Sequence, residues 1–419
     1  MGIMKYTEKD LSLVIPSRSN RKYAEWGYKA IRNASSDVTI CYADDASNDN
    51  FYDWVQEIMK TDPNVKVIQN EGPDRVGHTV LYNAIVEELV TTKLAMIYHC
   101  DMFCFPNTFK NCLKHMEDGV IVSATRIEPE GLHPAGPEKL LVNMGLEPEH
   151  FNEDEVSDFA TKMEVQYKDQ ITEGIFAPWM FFTKDFLEIG GHDFLYKPQS
   201  KEDSDIFNRF ILNGLRVIQS RDSFVAHLTC RGSRRNPNLT NVTQDSPEWL
   251  EHNQRSTRNF IRKFGHFVRH DPLMKPIIPH KYDISLRVNF DIDPQTSFQL
   301  LHALEPWCSH LHCKNVQADI IHSYITQEQE NTKFDLSNRV SEFPKDYSDV
   351  LIEFTASRFL SDQQANFQFI QQLPDILTDS GEVGEMEYGC FKIVINALNH
   401  YEKDLIKCEN TGWRRKNHK

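Results

Sequence analysis

Apolar residues along this chain occur in short runs that alternate with segments where they recur every three or four positions. Short runs followed by a turn are typical of buried strands, and the longer spacing is typical of amphipathic helices. The predicted elements of the first hundred residues are strand 11–16, helix 23–32, strand 38–42, helix 51–59, strand 65–68, helix 78–89 and strand 94–98. This order predicts an α/β fold with a mainly parallel sheet and helices on both of its faces.

The regular alternation ends after residue 127. Residues 128–168 are rich in Pro, Gly and acidic side chains and show little periodicity, which is typical of an insertion or a flexible lid. Helical spacing returns at residues 204–212, and two short apolar runs then lead to His227. We therefore predict one domain over residues 1–276, into which segment 128–168 is inserted.

A second set of elements begins near residue 277. The predicted elements there are strand 283–290, helix 297–311, strand 349–355, helix 363–377 and strand 388–395. Strands again alternate with helices, so residues 277–419 are predicted to form a smaller accessory α/β domain.

Composition narrows the class of protein. Of the 419 residues, 40% are hydrophobic, which is enough for two or three domains with their own cores. No apolar run approaches the roughly 20 residues of a membrane span, and residues 1–10 are polar, so we expect no membrane association. The nine cysteines are odd in number and scattered, which indicates reduced thiols. The expected location is the cytoplasm, or the host cytoplasm if the protein is viral.

The net charge of −15 argues against broad, non-specific binding of nucleic acid, which depends on neutralising phosphates. Local stretches are nevertheless basic, namely residues 231–235, 255–269 and 414–416. Two interpretations stay open at this point. The stretches are either solvated faces that balance an acidic chain, or a patch that faces a phosphate or a polyanion.

Acidic and histidine side chains follow two of the predicted strands, where parallel sheets bind ligands. Asp44 and Asp45 could accept from a ribose hydroxyl or a base N–H, or they could simply cap a turn. His99 and Asp101 are two positions apart, so their side chains point to the same side. An imidazole and a carboxylate suit a divalent metal that neutralises a leaving diphosphate. Alternatively, Asp101 is a turn residue at the end of a strand.

Three more acidic residues open the predicted helix near residue 204. Glu202, Asp203 and Asp205 lie where a helix N-terminus favours negative charge, so they could be plain capping residues. A carboxylate held there can also deprotonate a sugar or alcohol hydroxyl. His227 follows an apolar run, and it gains interest because a metal at Asp101 would need a further ligand.

Six segments resemble, in the same order, blocks of the family 2 glycosyltransferases and their relatives of the GT-A fold. They are Leu-Ser-Leu-Val-Ile-Pro-Ser at 11–17, Tyr-Ala-Asp-Asp-Ala-Ser at 42–47, Tyr-His-Cys-Asp-Met at 98–102, Gly-Gly-His-Asp-Phe at 190–194, Lys-Glu-Asp-Ser-Asp at 201–205, and His227. The fourth segment is similar to the family's Gly-Gly-Phe-Asp, and the fifth to its Glu-Asp-x-Asp. The resemblance covers residues 11 to 227 and leaves the rest of the chain uncovered.

The resemblance implies roles for individual residues. Asp203 falls on the family's general base, beside Glu202, while Asp101 and His227 fall on its metal ligands for Mn²⁺ or Mg²⁺. One departure is that His99 replaces the first Asp of the usual Asp-x-Asp. The residues expected to contact the nucleotide are Pro16, Ser17, Arg18, Asp44, Asp45, Arg75 and His99.

The implied activity is metal-dependent transfer of a sugar from a nucleotide-diphosphate sugar, a UDP-sugar in the first instance, to an acceptor hydroxyl with inversion. The accessory domain 277–419 is then a candidate for acceptor binding. The acceptor stays open between a glycan, a protein, a small molecule and hydroxylated bases, such as hydroxymethyl bases, of phage DNA. A second class of function, a non-catalytic protein that binds a sugar nucleotide or a glycan, is motivated by the altered Asp-x-Asp.

Overall fold

The computed structural model describes residues 5–229 and 245–410, which divide into two compact units. The first unit takes its described residues from 5–229, 245–253, 269–277 and 407–410, and the second from 254–268 and 278–406. Each unit is therefore assembled from separate stretches of chain. Within the described residues, no helix combines the length and the apolar character needed to cross a lipid bilayer.

The first unit is built around a mixed sheet. Its strands are β1 Leu11–Ser17, β2 Thr39–Asp45, β3 Val65–Asn70, β4 Leu94–Ile97, β5 Met102–Cys104, β6 Val120–Pro129, β7 Lys139–Val142, β8 Ile171–Thr172, β9 Trp179–Phe182 and β10 Arg216–His227. Their order is β3-β2-β1-β4-β9-β6-β10-β5, with β7 beside β6 and β8 beside β10. The first four strands of this order run parallel.

Helices follow most of these strands. They are α1 Arg21–Ala34, α2 Phe51–Met59, α3 His78–Glu88, α4 Thr108–Leu113, α5 Glu153–Gln166, α6 Thr183–Glu188 and α7 Glu202–Leu212, and α8 Pro247–Phe264 begins in this unit. Consecutive residues of β1, such as Leu13, Val14 and Ile15, are all buried, as expected for a parallel strand that is covered on both faces. The predicted α/β fold is thus confirmed.

The direction of the strands determines where the polar segments meet. β1, β2 and β4 run parallel, so their carboxyl ends lie at the same edge of the sheet. Ser17, Asp44 and Asp45 end β1 and β2 at that edge, and the segment 98–101 follows β4 there. The loops predicted to carry chemistry therefore share one edge.

The segment 128–168 is more regular than its composition suggested. It contains the end of β6, all of β7 and the 14 residues of α5. Phe151 packs against Trp26 and Phe103, with ring centroids 5.0 and 5.1 Å apart, and Val156 and Ala160 of α5 are buried. These few apolar contacts attach an otherwise polar segment to the rest of the unit.

The second unit contains a smaller sheet. Its elements are β11 Ile284–Asn289, α9 Pro294–Leu304, β12 His310–Lys314, α10 Ala318–Glu328, β13 Val340–Ser341, β14 Val350–Thr355, α11 Ala356–Ser361, α12 Gln363–Ser380, β15 Gly384–Tyr388 and β16 Phe391–Ile395. The strand order is β13-β12-β11-β14-β16-β15, and the first four strands are parallel.

The prediction of one helix over residues 297–311 is wrong in its second half. The α-helix ends at Leu304, and β12 begins at His310. Pro306 follows the helix end, and a proline cannot donate the next helical hydrogen bond. Leu311 and Cys313 are buried on alternate positions of β12, so the apolar spacing in this stretch has the period of a strand.

Candidate functional site

The two carboxylates at the end of β2 have different surroundings. Asp45 accepts hydrogen bonds from the Asn70 side chain and from the backbone N–H groups of Val76 and Gly77, at 2.8 to 2.9 Å. Asp44 accepts from the backbone N–H of Ser47 and from the Gln69 amide, both at 3.2 Å. Burial raises the pKa of Asp44 above its ordinary value, although these donors oppose the shift. Asp45 therefore holds the segment that leads into α3.

The other residues expected to contact a nucleotide lie nearby along β1 and before α3. Pro16 is half-buried, Ser17 is buried, and Arg18 is exposed. Arg75 donates to Glu248 at 3.3 Å, and its other terminal nitrogen lies 3.5 Å from the Gln199 side-chain oxygen. Burial lowers the pKa of Arg75, while Glu248 and Asp45 act in the opposite direction.

His99, Asp101 and His227 converge at the edge of the sheet. Each offers one ligand atom, and these atoms all lie within 4.8 Å of one another. The antiparallel pairing of β10 with β5 places His227 opposite Met102, and so beside Asp101. The His227 Nε2 atom lies 3.4 Å from Asp101 Oδ1. Two imidazoles and a carboxylate form a donor set that fits a divalent transition metal such as Mn²⁺.

A buried carboxylate, Glu128, contacts His227 of this trio, and no motif in the sequence identified it. It lies at the end of β6, which pairs with β10, and its Oε1 atom is 3.1 Å from His227 Nδ1. Lys139 donates to Glu128 at 3.0 Å, and Arg126 lies 3.1 Å away. Burial alone would raise the pKa of Glu128, but His227 and the two cations hold it far below its usual range. Glu128 is therefore an ionised acceptor that orients the His227 ring.

The two histidines of the trio differ electrostatically. Burial, together with the charge on His227, lowers the pKa of His99 to about 4, so this ring is neutral near pH 7. Burial would also lower the pKa of His227, but Asp101 and Glu128 raise it to about 9. A neutral imidazole is ready to ligate a metal, whereas His227 must first release a proton.

The three acidic residues that open α7 also have separate surroundings. The Glu202 Oε1 atom lies 2.7 Å from His78 Nε2, and Glu202 is buried. Asp205 and Arg209 form a pair at 2.6 Å in which both side chains are fully buried. The Asp203 side chain, by contrast, is 39% exposed. Asp203 is thus the member of this group that solvent or a substrate can reach.

Three histidines act on Asp203, and two of them, His78 and His192, were not singled out from the sequence. The His192 Nε2 atom lies 3.7 Å from Asp203 Oδ1. Burial raises the pKa of Asp203, but the nearby His192, His99 and His78 together bring it below its ordinary value. An ionised, partly exposed carboxylate of this kind can accept a proton from a hydroxyl group.

The structure describes only one of the three basic stretches. Residues 231–235 and 414–416 lie outside the described residues. In the stretch 255–269, Arg262 is fully buried and pairs with Glu305 and Glu328 of the second unit, and Arg258 donates to Glu328 at 2.9 Å. These two arginines belong to an internal ion-pair network, and so they do not offer a basic groove.

Comparison with known proteins gives one family match. The family described as "Glycosyl transferase family 2" matches residues 12–188. No curated protein sequence is significantly similar to the chain.

Two of the similar solved structures share little sequence identity with this chain. GalNAc-T7 with UDP, GalNAc and Mn²⁺ is 12% identical over 52% of this chain, with a TM-score of 0.39, and the match spans only 43% of that protein's length. The Pyrobaculum calidifontis mannosyltransferase PcManGT, in complex with GDP-Man and Mn²⁺, is 13% identical over 89% of this chain and 86% of its own, with a TM-score of 0.41. At these scores only the family match bears on the class of the chain.

Proposed function

We propose that the protein is a glycosyltransferase of the family 2 type, which residues 12–188 resemble, and that it moves a sugar from a nucleotide-diphosphate donor to an acceptor hydroxyl. The proposed donor is a UDP-sugar, and the proposed reaction is a single displacement with inversion at the anomeric carbon. The observation that carries this proposal is the partly exposed, ionised Asp203, whose pKa is lowered in part by His99 of the trio His99, Asp101 and His227.

The trio is the proposed holder of a divalent metal, Mn²⁺ or Mg²⁺. Asp101 and His227 would be its principal ligands, and His99 a further one, because their ligand atoms lie within 4.8 Å of one another. Two nitrogen ligands favour Mn²⁺ over Mg²⁺, which prefers an all-oxygen set. A bound divalent ion supplies positive charge that stabilises the departing nucleoside diphosphate.

Asp203 is the proposed general base. It would accept the proton of the acceptor hydroxyl as that oxygen attacks the anomeric carbon. Neighbouring histidines favour the ionised carboxylate, which supports this role at neutral pH. Glu202 is hydrogen-bonded to His78, so its proposed part is to hold that neighbour in place.

Nucleotide recognition is assigned to the ends of β1 and β2. Asp44 carries fewer hydrogen bonds from the protein than Asp45 does, and so it is the better candidate to accept from the uracil or the ribose. Pro16, Ser17 and Arg18 lie at the end of the neighbouring strand. Arg75 would add positive charge for the phosphates.

The experiment that tests the proposal is a donor screen with Mn²⁺, read first by thermal shift and then by release of nucleoside diphosphate. A bound donor raises the melting temperature by mass action. We expect a UDP-sugar to give the largest shift, and EDTA or Asp101→Ala to abolish both the shift and UDP release. Binding without any release would favour the non-catalytic alternative, and activity unaffected by EDTA would remove the metal from the proposal.

The acceptor class is open to a direct test. Transfer to DNA that contains hydroxymethylated bases should fall steeply with salt, because each phosphate contact releases counterions. Transfer to a glycan, a protein or a small molecule should depend far less on salt. Comparing these four acceptor classes at two salt concentrations therefore identifies the acceptor.

A further inference from the structure

His192 is an unusual residue to find in an apolar core. Its side chain is fully buried, and its ring stacks on Tyr82 with centroids 4.9 Å apart. Phe186 and Trp179 lie against it at 5.5 and 6.1 Å. Within the described structure, neither ring nitrogen forms a hydrogen bond. A buried polar group without a partner is costly, so its presence calls for a functional explanation.

The backbone of His192 is firmly anchored. Its N–H donates to the Asn83 side-chain oxygen at 2.8 Å, and its carbonyl accepts from the Asn83 amide at 2.9 Å. Gly191 precedes it with a positive φ, and a Cβ atom there would lie 2.6 Å from the same Asn83 oxygen. The turn therefore fixes where the His192 ring points.

The ring points toward the carboxylate of Asp203. The Nε2 atom lies 3.7 Å from Oδ1, which itself forms no hydrogen bond with any described residue. A donor and an acceptor without partners thus face each other just beyond hydrogen-bond distance. The family segment Gly-Gly-Phe-Asp, which residues 190–193 resemble, has phenylalanine at the position of His192. A phenylalanine ring could fill the same space but could not donate a hydrogen bond.

We propose that His192 is a positioning residue for Asp203. Its Nε2–H donates to Oδ1 once an acceptor is bound, which turns Oδ2 toward the acceptor hydroxyl. Oδ2 then receives the proton while His192 keeps its own. This inference rests on the proposed function, because it presumes that Asp203 is the base.

The test compares His192→Phe, which removes the donor, with His192→Gln, whose amide N–H can reach the same carboxylate. For the Phe variant we expect kcat for transfer to fall about 10- to 100-fold, while the donor KM and the melting temperature change little. The Gln variant should recover part of that loss. His115→Phe is the matched control, because the Nε2 atom of His115 is also buried without a hydrogen bond, and it should keep full activity.

The outcomes separate this inference from the function on which it rests. Full kcat in His192→Phe, or no difference between the Phe and Gln variants, would overturn the positioning role. Asp203→Asn is measured in parallel. If it retains transfer, the base assignment itself fails; if it loses transfer while His192→Phe does not, only the present inference fails.

A separate cluster in the second unit has the composition of a metal site. His280, His400 and Glu402 offer three ligand atoms that lie within 4.8 Å of one another. The Nδ1 atom of His280 is 2.8 Å from Glu402 Oε1. The rings of His280 and His400 stack with centroids 3.7 Å apart.

The backbone around this cluster is already held in place. Tyr401 N–H donates to the Lys281 carbonyl at 2.9 Å, and Lys281 N–H donates to Glu402 Oε2 at 3.2 Å. The Tyr401 hydroxyl donates to Asp349 at 2.8 Å. The first two of these bonds join residues near the beginning and the end of the long segment 278–406 of the second unit.

We infer that this cluster binds a divalent ion of the Zn²⁺ class, independently of the glycosyltransferase site. Two imidazoles and one carboxylate are typical zinc ligands, with a water as the fourth. The ion would take the place of the proton between His280 and Glu402. It would thereby hold residues near the beginning and the end of segment 278–406 together.

The test uses Zn²⁺ alone with the full chain carrying Asp101→Ala, which disables the other candidate metal site. Isothermal titration should detect one Zn²⁺ per chain, and saturation should raise the melting temperature. Adding the exposed His400→Ala should weaken Zn²⁺ binding at least tenfold and remove the thermal shift. His322→Ala, an exposed histidine of the same unit, should leave both unchanged. Equal Zn²⁺ binding in the His400 and His322 variants would overturn the inference.

Discussion

The Nδ1 atom of His227 lies 3.1 Å from Oε1 of Glu128, a carboxylate that reaches it from the neighbouring strand of the sheet. This contact fixes the ring so that the opposite nitrogen, Nε2, faces Asp101 at 3.4 Å. Carboxylates that bind the second nitrogen of a ligating histidine orient the ring and strengthen it as a ligand.

Glu128→Gln should therefore weaken Mn²⁺ binding by roughly 10- to 100-fold, because outer partners of metal ligands have effects of this size. Isothermal titration of Mn²⁺ measures the effect. Glu138→Gln is the matched control: within the described structure, Glu138 pairs with Arg126 and Lys139, whereas His227 pairs with Glu128. Equal losses in the two variants would mean that charge, rather than the His227 contact, is responsible.

Asp203→Asn should keep donor binding and lose transfer by roughly 10² to 10⁴ in kcat, since an amide keeps the shape of the carboxylate but cannot accept the proton. Donor affinity is measured by titration and transfer by product formation. Stability should change little, because the side chain is 39% exposed. Transfer at the wild-type rate would remove Asp203 from the mechanism.

Asp205→Asn, unlike Asp203→Asn, should lower the stability of the protein. Asp205 and Arg209 form a fully buried pair, so the change removes the carboxylate charge that the buried guanidinium contacts at 2.6 Å. Breaking such a pair costs about 3 to 5 kcal/mol in the free energy of unfolding. Urea unfolding at neutral pH measures this cost, and a midpoint equal to that of the wild type would contradict it.

Alanine substitutions of Asp44 and Asp45 should differ in their effects on stability and on UDP binding. Asp45→Ala leaves three donors of residues 70–77 without their acceptor, and we expect a loss of about 2 to 4 kcal/mol in the free energy of unfolding. Asp44→Ala should instead weaken UDP binding with a smaller loss of stability. Urea unfolding and UDP titration of both variants check the pair, and the reverse pattern would exchange the two roles.

The second unit should lose stability in acid through Glu305. Burial opposes ionisation, yet Arg339 and Arg262 lower the pKa of Glu305 from its ordinary 4.5 to about 2. A depressed pKa stabilises the fold above the unfolded value, and this stabilisation is lost as pH falls from about 4.5 to about 2. The contribution to the free energy of unfolding is about 3 kcal/mol.

Urea unfolding between pH 7 and pH 3 measures this dependence. Glu305→Gln should be less stable at pH 7 and should show a flatter dependence on pH than the wild type. Glu330→Gln, an exposed residue of the same unit, should follow the wild type. An unchanged slope in Glu305→Gln would assign the acid sensitivity to other carboxylates.

Much of the fold could be predicted because burial leaves a local pattern in the sequence. The strand at 38–42 and the helix at 51–59 follow directly from apolar spacing, and both exist within a few residues of their expected limits. Segment 128–168 contains β7 and α5, which its weak periodicity does not indicate, because the few apolar residues that attach it, such as Phe151, lie among polar neighbours.

Only those site residues that lie in recognisable sequence segments could be predicted. Asp101 and Asp203 lie in such segments, but several of the residues that orient the site and shift its pKa values were not identified from the sequence. Glu128 is 99 positions away from His227, and His192 reaches Asp203 only because the turn at Gly191 packs on Asn83. Contacts of this kind depend on strand register and tertiary packing, and neither is encoded in local spacing.

The segment 407–410 affects how the protein is made. Asn410 donates to the carbonyls of Gly190 and His192 and accepts from the backbone N–H of Phe194, so the turn beside Asp203 is completed by residues more than 200 positions later. During synthesis on the ribosome, the first unit must wait for these residues while the whole of the second unit is translated. The turn therefore cannot form these bonds until residues 407–410 have been synthesised, and a chain truncated before residue 407 lacks them.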